Sequence, residues 1–600
     1  MPAYLPIAEH GIMGDLHTIA LTATDGTIDW YCCPSFDSPS VFASILDSEN
    51  GGYYRISPAK EGWTPKQLYF PDTNVLITRF LSPDGVGEIQ GFMPIEEASD
   101  EAHRHRLVRR VEGVRGEMRF RVEMYPRFNY GRDEHEIVQY EHGVVFRSPT
   151  LCLALQATTP IACDEQGIHA EFTVRAGASV TFVLERVARD YVPRAYSEEE
   201  NRDAYEETIA FWRRWLSQSH YRGRWREMVN RSALTLKLLT YSPTGAIVAA
   251  PTTSLPEQIG GTRNWDYRYT WVRDAAFSLY ALLRLGFTDE AEAFTGWLWD
   301  RVLRRRETET GPLQIMYGID GRSELTEGIL EHFEGYRGSR PVRIGNAAYN
   351  QLQLDIYGEL IDSVYLFNKY GEPIAHESWV EISRIVDWIC TAWDQPDEGI
   401  WEVRGGRQNF TYSRLMCWVA IERAIRIARQ RGLPADLDAW RAARDAIYHQ
   451  IMTRCWNEKR GAFVQHFDTD VLDASLLLMP LVKFIAPTDP RWLSTLDAIT
   501  KELVSDSLVY RYNARAAPDG VAGEEGTFSI CSFWYVEALA RAGRLSEARL
   551  AFEKMLTYGN HLGLYSEEIG PTGEQLGNFP QAFTHLALIS AAVNLDYQLG

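Results

Sequence analysis

Apolar and polar positions change their period once along this chain, near residue 197. Before that point the period is two. Met118-Arg119-Phe120-Arg121-Val122-Glu123-Met124 alternates strictly, and Glu171–Arg175 and Val180–Val187 do much the same. Alternation of this kind places one apolar face on a core and predicts half-buried strands. Asp25-Gly26, Pro83-Asp84-Gly85 and Glu141-His142-Gly143 punctuate the segment with turns. Many short strands with regular turns predict an antiparallel β-sandwich over residues 1–196. Ser197-Glu198-Glu199-Glu200 then reads as a helix start, a cap followed by an acidic first turn, and predicts a helical linker over 197–222.

From residue 223 to 600 the period is helical. Twelve helices are predicted, at 223–241, 272–286, 288–305, 343–369, 376–394, 410–431, 435–455, 471–483, 490–504, 529–542, 544–557 and 580–598. Twelve make six pairs, and a toroid of six inner and six outer helices, an (α/α)6 barrel, is one closed way to bury them. Its inner helices need apolarity on several faces, which Leu415–Ile427 and Ala582–Val593 supply. Periodicity alone does not choose the toroid over an irregular helical fold. Four connections exceed mere links: Ser242–Tyr269, Arg306–Arg340, Gln395–Asn409 and Gly559–Phe579. Loops of that length, rich in Gly, Pro and aromatics, usually build a site.

Composition narrows the function. Six hundred residues exceed one ordinary core, so two domains are expected. A net charge of −20 argues against nucleic acid and anionic membrane surfaces as partners. No run is apolar enough to span a bilayer, and no secretory leader is visible at the N-terminus. The eight Cys form no CxxC pair and mostly sit in apolar runs, which suits free thiols in a reducing cytoplasm. None of the 14 His falls in an HExxH pattern, so no metal and no cofactor is expected. Aromatic residues reach 12%, enough for large cores or for platforms that stack on sugar rings. A homo-oligomer is compatible with all of this.

The candidate chemistry lies in two glutamates. Glu402 stands in Gly399-Ile400-Trp401-Glu402-Val403-Arg404 and Glu567 in Leu564-Tyr565-Ser566-Glu567-Glu568-Ile569-Gly570. Each follows a turn and precedes an apolar helical run. Two carboxylates held apart on loops can cleave a glycosidic bond, one protonating the leaving oxygen and the other activating water. Glu568 competes with Glu567 for the base role, and Glu334 and Glu398 are further acid candidates. The densest polar-aromatic cluster is Gly261-Thr262-Arg263-Asn264-Trp265-Asp266-Tyr267-Arg268-Tyr269-Thr270-Trp271-Val272-Arg273-Asp274. Its Arg273-Asp274 pair sets a fork of donors beside an acceptor, which suits vicinal sugar hydroxyls.

That cluster, together with Trp401-Glu402, Arg511-Tyr512 and Ser566-Glu567…Gly573-Glu574-Gln575-Leu576, resembles glycoside hydrolase family 15, the glucoamylase family. The bacterial branch, with trehalases and isomaltose-releasing enzymes, is similar also at Gly14-Asp15-Leu16-His17, at Asp25–Trp30 and at Phe36-Asp37-Ser38-Pro39. The resemblance implies a β-sandwich followed by an (α/α)6 barrel, and exo-acting hydrolysis of an α-glucoside with inversion. It implies that Glu402 is the general acid and Glu567 the general base. Inversion expects carboxyl groups roughly 6.5–9.5 Å apart. It implies that Tyr267 lies near the nucleophilic water, that Trp271 and Trp401 line the pocket, and that Arg273, Asp274 and Arg511 bind substrate. Tyr336, in the more loosely matching Gly335–Pro341, takes the place of a fungal tryptophan at the leaving group. Trp401 is expected to lower the polarity around Glu402 and keep it protonated. The expected substrate is α,α-trehalose or a short α-gluco-oligosaccharide. A disaccharide phosphorylase and a non-catalytic carbohydrate-binding protein are the alternatives.

Overall fold

The computed structural model describes residues 4–96, 103–304, 311–370, 373–517 and 519–600. Among the described residues, fifteen strands lie between His10 and Arg186, and every ladder between them is antiparallel. The strand Leu107–Tyr125 is 19 residues long and belongs to both layers. Its first half pairs with Gly85–Phe92 and Ser179–Arg186, and its second with Tyr53–Pro58 and Ile168–Arg175. The predicted alternation is plain in Ile168–Arg175, where buried and exposed residues alternate over all eight positions. Phe80, Phe120, Phe172 and Phe182 meet in the core between the layers.

The linker helix spans Glu198–Leu216. Ser197 Oγ accepts the Glu200 N–H, and Glu200 Oε2 accepts the Ser197 N–H, a reciprocal cap at the predicted start. Its Trp215 stacks on Phe287 at 4.1 Å and donates to Glu290, which seats the helix on the C-terminal half.

That half is a closed double ring. The inner ring runs Ala275–Leu285, Asp355–Tyr370, Thr411–Arg431, Ala474–Leu478, Ser529–Arg541 and Ala582–Leu599, and the last element packs on the first. The outer ring is Arg226–Leu238, Thr288–Leu303, His376–Ala392, Leu437–Arg454, Pro490–Glu502 and Leu545–Leu556. Inner helices touch neighbours on nearly every side. Ser529–Arg541 is accordingly buried along its whole length except Arg541, whereas His376–Ala392 buries one stripe that includes Trp379, Ile382, Val386 and Ile389. No described helix is long and apolar enough to cross a membrane.

Two predicted helices change. The helix expected at 343–369 begins only at Asp355. Gly345 adopts φ +74° where a Cβ would lie 2.1 Å from the Thr326 carbonyl, and the Asn346 side chain caps a short 3-10 turn, Ala347–Asn350. The helix expected at 471–483 contracts to the 3-10 segment Ala474–Leu478. Asp473 bridges to Tyr512 just before it, and Pro480 lacks the N–H a longer helix needs. The fourth inner element of the ring is therefore this short turn.

The sandwich packs against the loops of the barrel. Trp30 Nε1 donates to the Pro251 carbonyl at 2.7 Å, Arg268 Nη1 donates to the Ser38 carbonyl at 2.9 Å, and Asp37 pairs with Arg322 at 2.6 Å.

Candidate active site

A single cavity is lined by Tyr267, Trp271, Arg273, Asp274, Trp401, Glu402, Arg511 and Glu567, together with Glu257, Arg263, Trp265, Asn346, Arg404, Asp519 and Gln581. Among the described residues, the whole lining lies between Ala249 and Phe583. Three of the four long connections contribute. Arg306–Arg340 gives no lining residue among those described. Its place is taken by Asn346 and Ala348, just beyond it, and by the segment from Arg511 to Phe528.

Glu402 sits at φ +56°, the left-handed region, on a turn whose N–H bonds back to the Gly399 carbonyl at 3.1 Å. A non-glycine residue held there costs on the order of 1–3 kcal/mol. The conformation aims its carboxylate at two donors. Trp271 Nε1 donates to Oε1 at 2.7 Å, and Arg273 Nη1 to the same oxygen at 3.1 Å. A second bond from Arg273 Nη1 to the Ile400 carbonyl, 2.7 Å, ties the arginine to the turn. Trp401, expected beside the Glu402 carboxylate, turns its indole N–H to Asp473 at 3.0 Å, and Arg511 lies 5.6 Å from its ring. The indole that meets Glu402 is that of Trp271.

Glu567 is 3% exposed. Its Oε1 accepts the Tyr267 hydroxyl at 2.5 Å and the Gln581 amide at 3.3 Å, while Oε2 is buried without a hydrogen-bond partner. Glu257, Glu567 and Glu568 each offer an oxygen within 4.8 Å of the others. Burial first, and then the neighbouring Glu257, push Glu567 well above the usual carboxylate range; Tyr267 and Arg511 pull the other way. Burial likewise raises Glu257 to about 7 against the pull of Arg511. Three carboxylates this close titrate as a set and cannot all be charged together. Glu568 lies outside the cavity lining, in the strand Glu568–Ile569, where its Oε2 accepts the Gly526 N–H at 2.6 Å.

Compensating charge comes from a buried network that the sequence reading largely passed over. Arg511 pairs with Glu525 at 2.6 Å and Asp519 at 3.4 Å, and Arg263 grips Asp519 through two bonds of 2.8 and 2.9 Å. Glu257 accepts the Trp265 indole at 2.8 Å. The Trp265 ring in turn carries the guanidinium of Arg343 at 4.5 Å and that of Arg404 at 4.2 Å. Arg263 and Trp265 belong to the cluster already singled out, and Arg404 stands two residues after Glu402. The pairing of Arg263 with Asp519 spans 256 residues and that of Arg404 with Trp265 spans 139, which no spacing reveals.

Arg273 Nε and Asp274 Oδ1 face each other at 3.7 Å, too far for a hydrogen bond, and both are buried without a hydrogen-bond partner. Burial raises Asp274 to about 6 although Arg273 opposes it.

Tyr336 is a correction. It lies outside the cavity lining, 1% exposed, with its hydroxyl donating to the Leu5 carbonyl at 2.9 Å and its ring edge-on to Tyr4 at 5.6 Å. Gly335 at φ +75° and Arg337 at φ +50° turn this loop toward the N-terminal segment. Glu334 accepts the Tyr4 hydroxyl, and Glu398 is held by Arg407 and the Leu352 N–H. Neither lines the cavity.

Residues 223–593 match the sequence model of Glycosyl hydrolases family 15, and residues 3–210 match that of a trehalase-like N-terminal region. The chain is 41% identical to a trehalase of Mycolicibacterium smegmatis, covering 98% of this chain and 91% of the relative. It is 37% identical to a trehalase of Thermoplasma volcanium, covering 99% and 94%. A solved bacterial glucoamylase complexed with acarbose shares the fold at a TM-score of 0.72 and 14% identity, covering 99% of this chain and 94% of that one.

Proposed function

The chain belongs to glycosyl hydrolases family 15 and is a glycoside hydrolase; we propose that it hydrolyses α,α-trehalose with inversion, using Glu402 as general acid and Glu567 as general base. The observation that carries this reading is the pairing of the two carboxylates in one cavity. Each is held through one oxygen by a donor from the same short segment, Tyr267 or Trp271.

In this reading Trp271 and Arg273 hold Glu402 through Oε1, and Glu402 gives a proton to the glycosidic oxygen. Glu567 takes a proton from the attacking water, and its raised proton affinity makes it a stronger base once ionised. The Arg273–Asp274 pair, which lines the cavity, receives vicinal hydroxyls of the glucose being transferred. Trehalose is favoured over other α-glucosides by the trehalase relatives, which match almost end to end.

The test is the anomeric form of the first products. Inversion of α,α-trehalose gives one β-glucose, whose new oxygen comes from water, and one α-glucose, which keeps the bridging oxygen. Proton NMR in the first turnovers should show the two anomers in equal amounts, and activity on isomaltose, maltose and soluble starch should be weaker. Only α-glucose at early times would establish retention and overturn the roles. A preference for isomaltose or maltose would overturn the substrate. Turnover that requires inorganic phosphate as a reactant and yields a glucosyl phosphate would establish a phosphorylase.

A further inference from the structure

Away from the catalytic cavity, the described residues bring Asp15, His17, His103 and His105 together in a buried cluster that the proposed reaction does not use. We propose that these four side chains form a structural site for a divalent transition-metal ion, zinc by its donor set, which clamps the β-sandwich to the first loop of the catalytic pocket.

Asp15 and His17 lie in the turn between the strands His10–Gly14 and Ile19–Ala23, and His103 and His105 lead into the long strand Leu107–Tyr125. The four are 1–6% exposed. Each offers one ligand atom within 4.8 Å of the others. Asp15 Oδ2 is 2.8 Å from His105 Nδ1 and 3.7 Å from His103 Nδ1. The 2.8 Å contact is a hydrogen bond, and His103 Nδ1 accepts the His105 N–H at 3.2 Å; zinc, whose tetrahedral ligands stand roughly 3.4 Å apart, would displace the first and engage His103 through Nε2. The rings of His17 and His103, and of His103 and His105, have centroids 4.3 Å apart.

The cluster is oriented from outside. Asp15 Oδ1 accepts the N–H groups of His17 and Thr18, both at 3.0 Å, which commits that oxygen to the backbone and leaves Oδ2 with the histidines. Such outer bonds commonly fix a ligand's direction at metal sites. His103 Nε2 is buried with no hydrogen-bond partner. Leu16 at φ +67° and His105 at φ +49° hold the two ligand-bearing turns in a conformation that side chains seldom adopt.

Charge and chemistry favour a metal over protons. Three imidazoles in ring contact repel if more than one is charged. As neutral ligands they instead present lone pairs around one carboxylate. Three nitrogens and one oxygen suit zinc or a neighbouring transition metal, whereas magnesium and calcium prefer oxygen alone. Four protein ligands close the coordination sphere, as in structural and not catalytic zinc sites. The clamp follows from what the cluster touches. Ser242 N–H donates to the Leu16 carbonyl at 2.8 Å, and the Tyr241 ring stands edge-on to His17 at 5.6 Å. Ser242 opens the loop that leads to Glu257, Arg263 and Tyr267.

The test uses the full-length protein, stripped with a chelator and reloaded with zinc or cobalt(II). Elemental analysis should find about one zinc per chain, and cobalt should give the intense visible bands of a four-coordinate site. Removing the metal should lower Tm by several degrees, and reloading should restore it. His103→Ala should bind less than a tenth as much metal as the native chain and lose the chelator-sensitive part of Tm, while Glu402→Gln should keep both. Failure of the native chain to take up zinc and to develop the cobalt bands would overturn the site. So would undiminished binding in a folded His103→Ala variant. Should that variant not fold, the cobalt spectrum of the native chain decides, because a weak six-coordinate spectrum is incompatible with this ligand set.

Discussion

Tyr267 and Trp271 stand edge to face, with ring centroids 5.4 Å apart, and each donates a hydrogen bond to a different glutamate. The Tyr267 hydroxyl meets Glu567, and the Trp271 indole meets Glu402. Four residues of sequence thus set the relative position of two carboxylates that lie 165 apart in the chain. Arg268, between them, anchors the segment through Asp266 and the Ser38 carbonyl.

The two carboxylates should fail differently when neutralised. Glu567→Gln removes the base, so turnover should fall by about 10²–10⁴ on every substrate. Glu402→Gln should fall as far on trehalose but much less on α-glucosyl fluoride, because fluoride leaves without needing a proton. Steady-state rates on the two substrates measure this. A Glu567→Gln variant with near-native turnover would reassign the base.

The acid limb of the pH profile should report the buried carboxylate set. A base works only when ionised, and Glu567 is pushed upward, so activity should already fall at pH values above the ordinary carboxylate range. Tyr267→Phe removes a bond that favours the ionised form, so the limb should move to higher pH. Glu257→Gln removes a like charge, so the limb should move to lower pH. Profiles of kcat/KM against pH for the three proteins check both signs. Equal limbs in all three would exclude Glu567 as the titrating base.

Arg268→Ala should destabilise the protein without touching the cavity lining. The change leaves Asp266, 0% exposed, without its guanidinium and removes the tie to Ser38. Breaking one side of a buried ion pair costs on the order of 3–5 kcal/mol. Backbone donors from Arg268 and Gly345 still reach Asp266, so about 3 kcal/mol is expected. The measurement is a fall in Tm against the native protein at equal concentration.

The sequence by itself determined what depends on neighbours along the chain. Period-two alternation at Ile168–Arg175 records one face against a core. The Ser197–Glu200 cap follows from two side chains three residues apart. The all-round apolarity of Ala582–Val593 marks an inner helix, since only a helix enclosed on every side can lack a polar stripe. The cluster ending at Asp274 stands out for a local reason, a density of polar and aromatic residues, and Trp401-Glu402 and Ser566-Glu567 stand out by their resemblance to motifs of the family. The tertiary structure alone decided who meets whom. It set the indole of Trp271 and not Trp401 on Glu402, and turned Tyr336 toward Tyr4. It gathered Glu257, Glu567 and Glu568, and broke the expected helix before Asp355, where the Thr326 carbonyl leaves Gly345 no room for a side chain. It also brought His17 against His103, 86 residues further along the chain. Hydrogen bonds and charges act across a few ångströms of space, and separation in the chain carries no record of which residues the fold will bring that close.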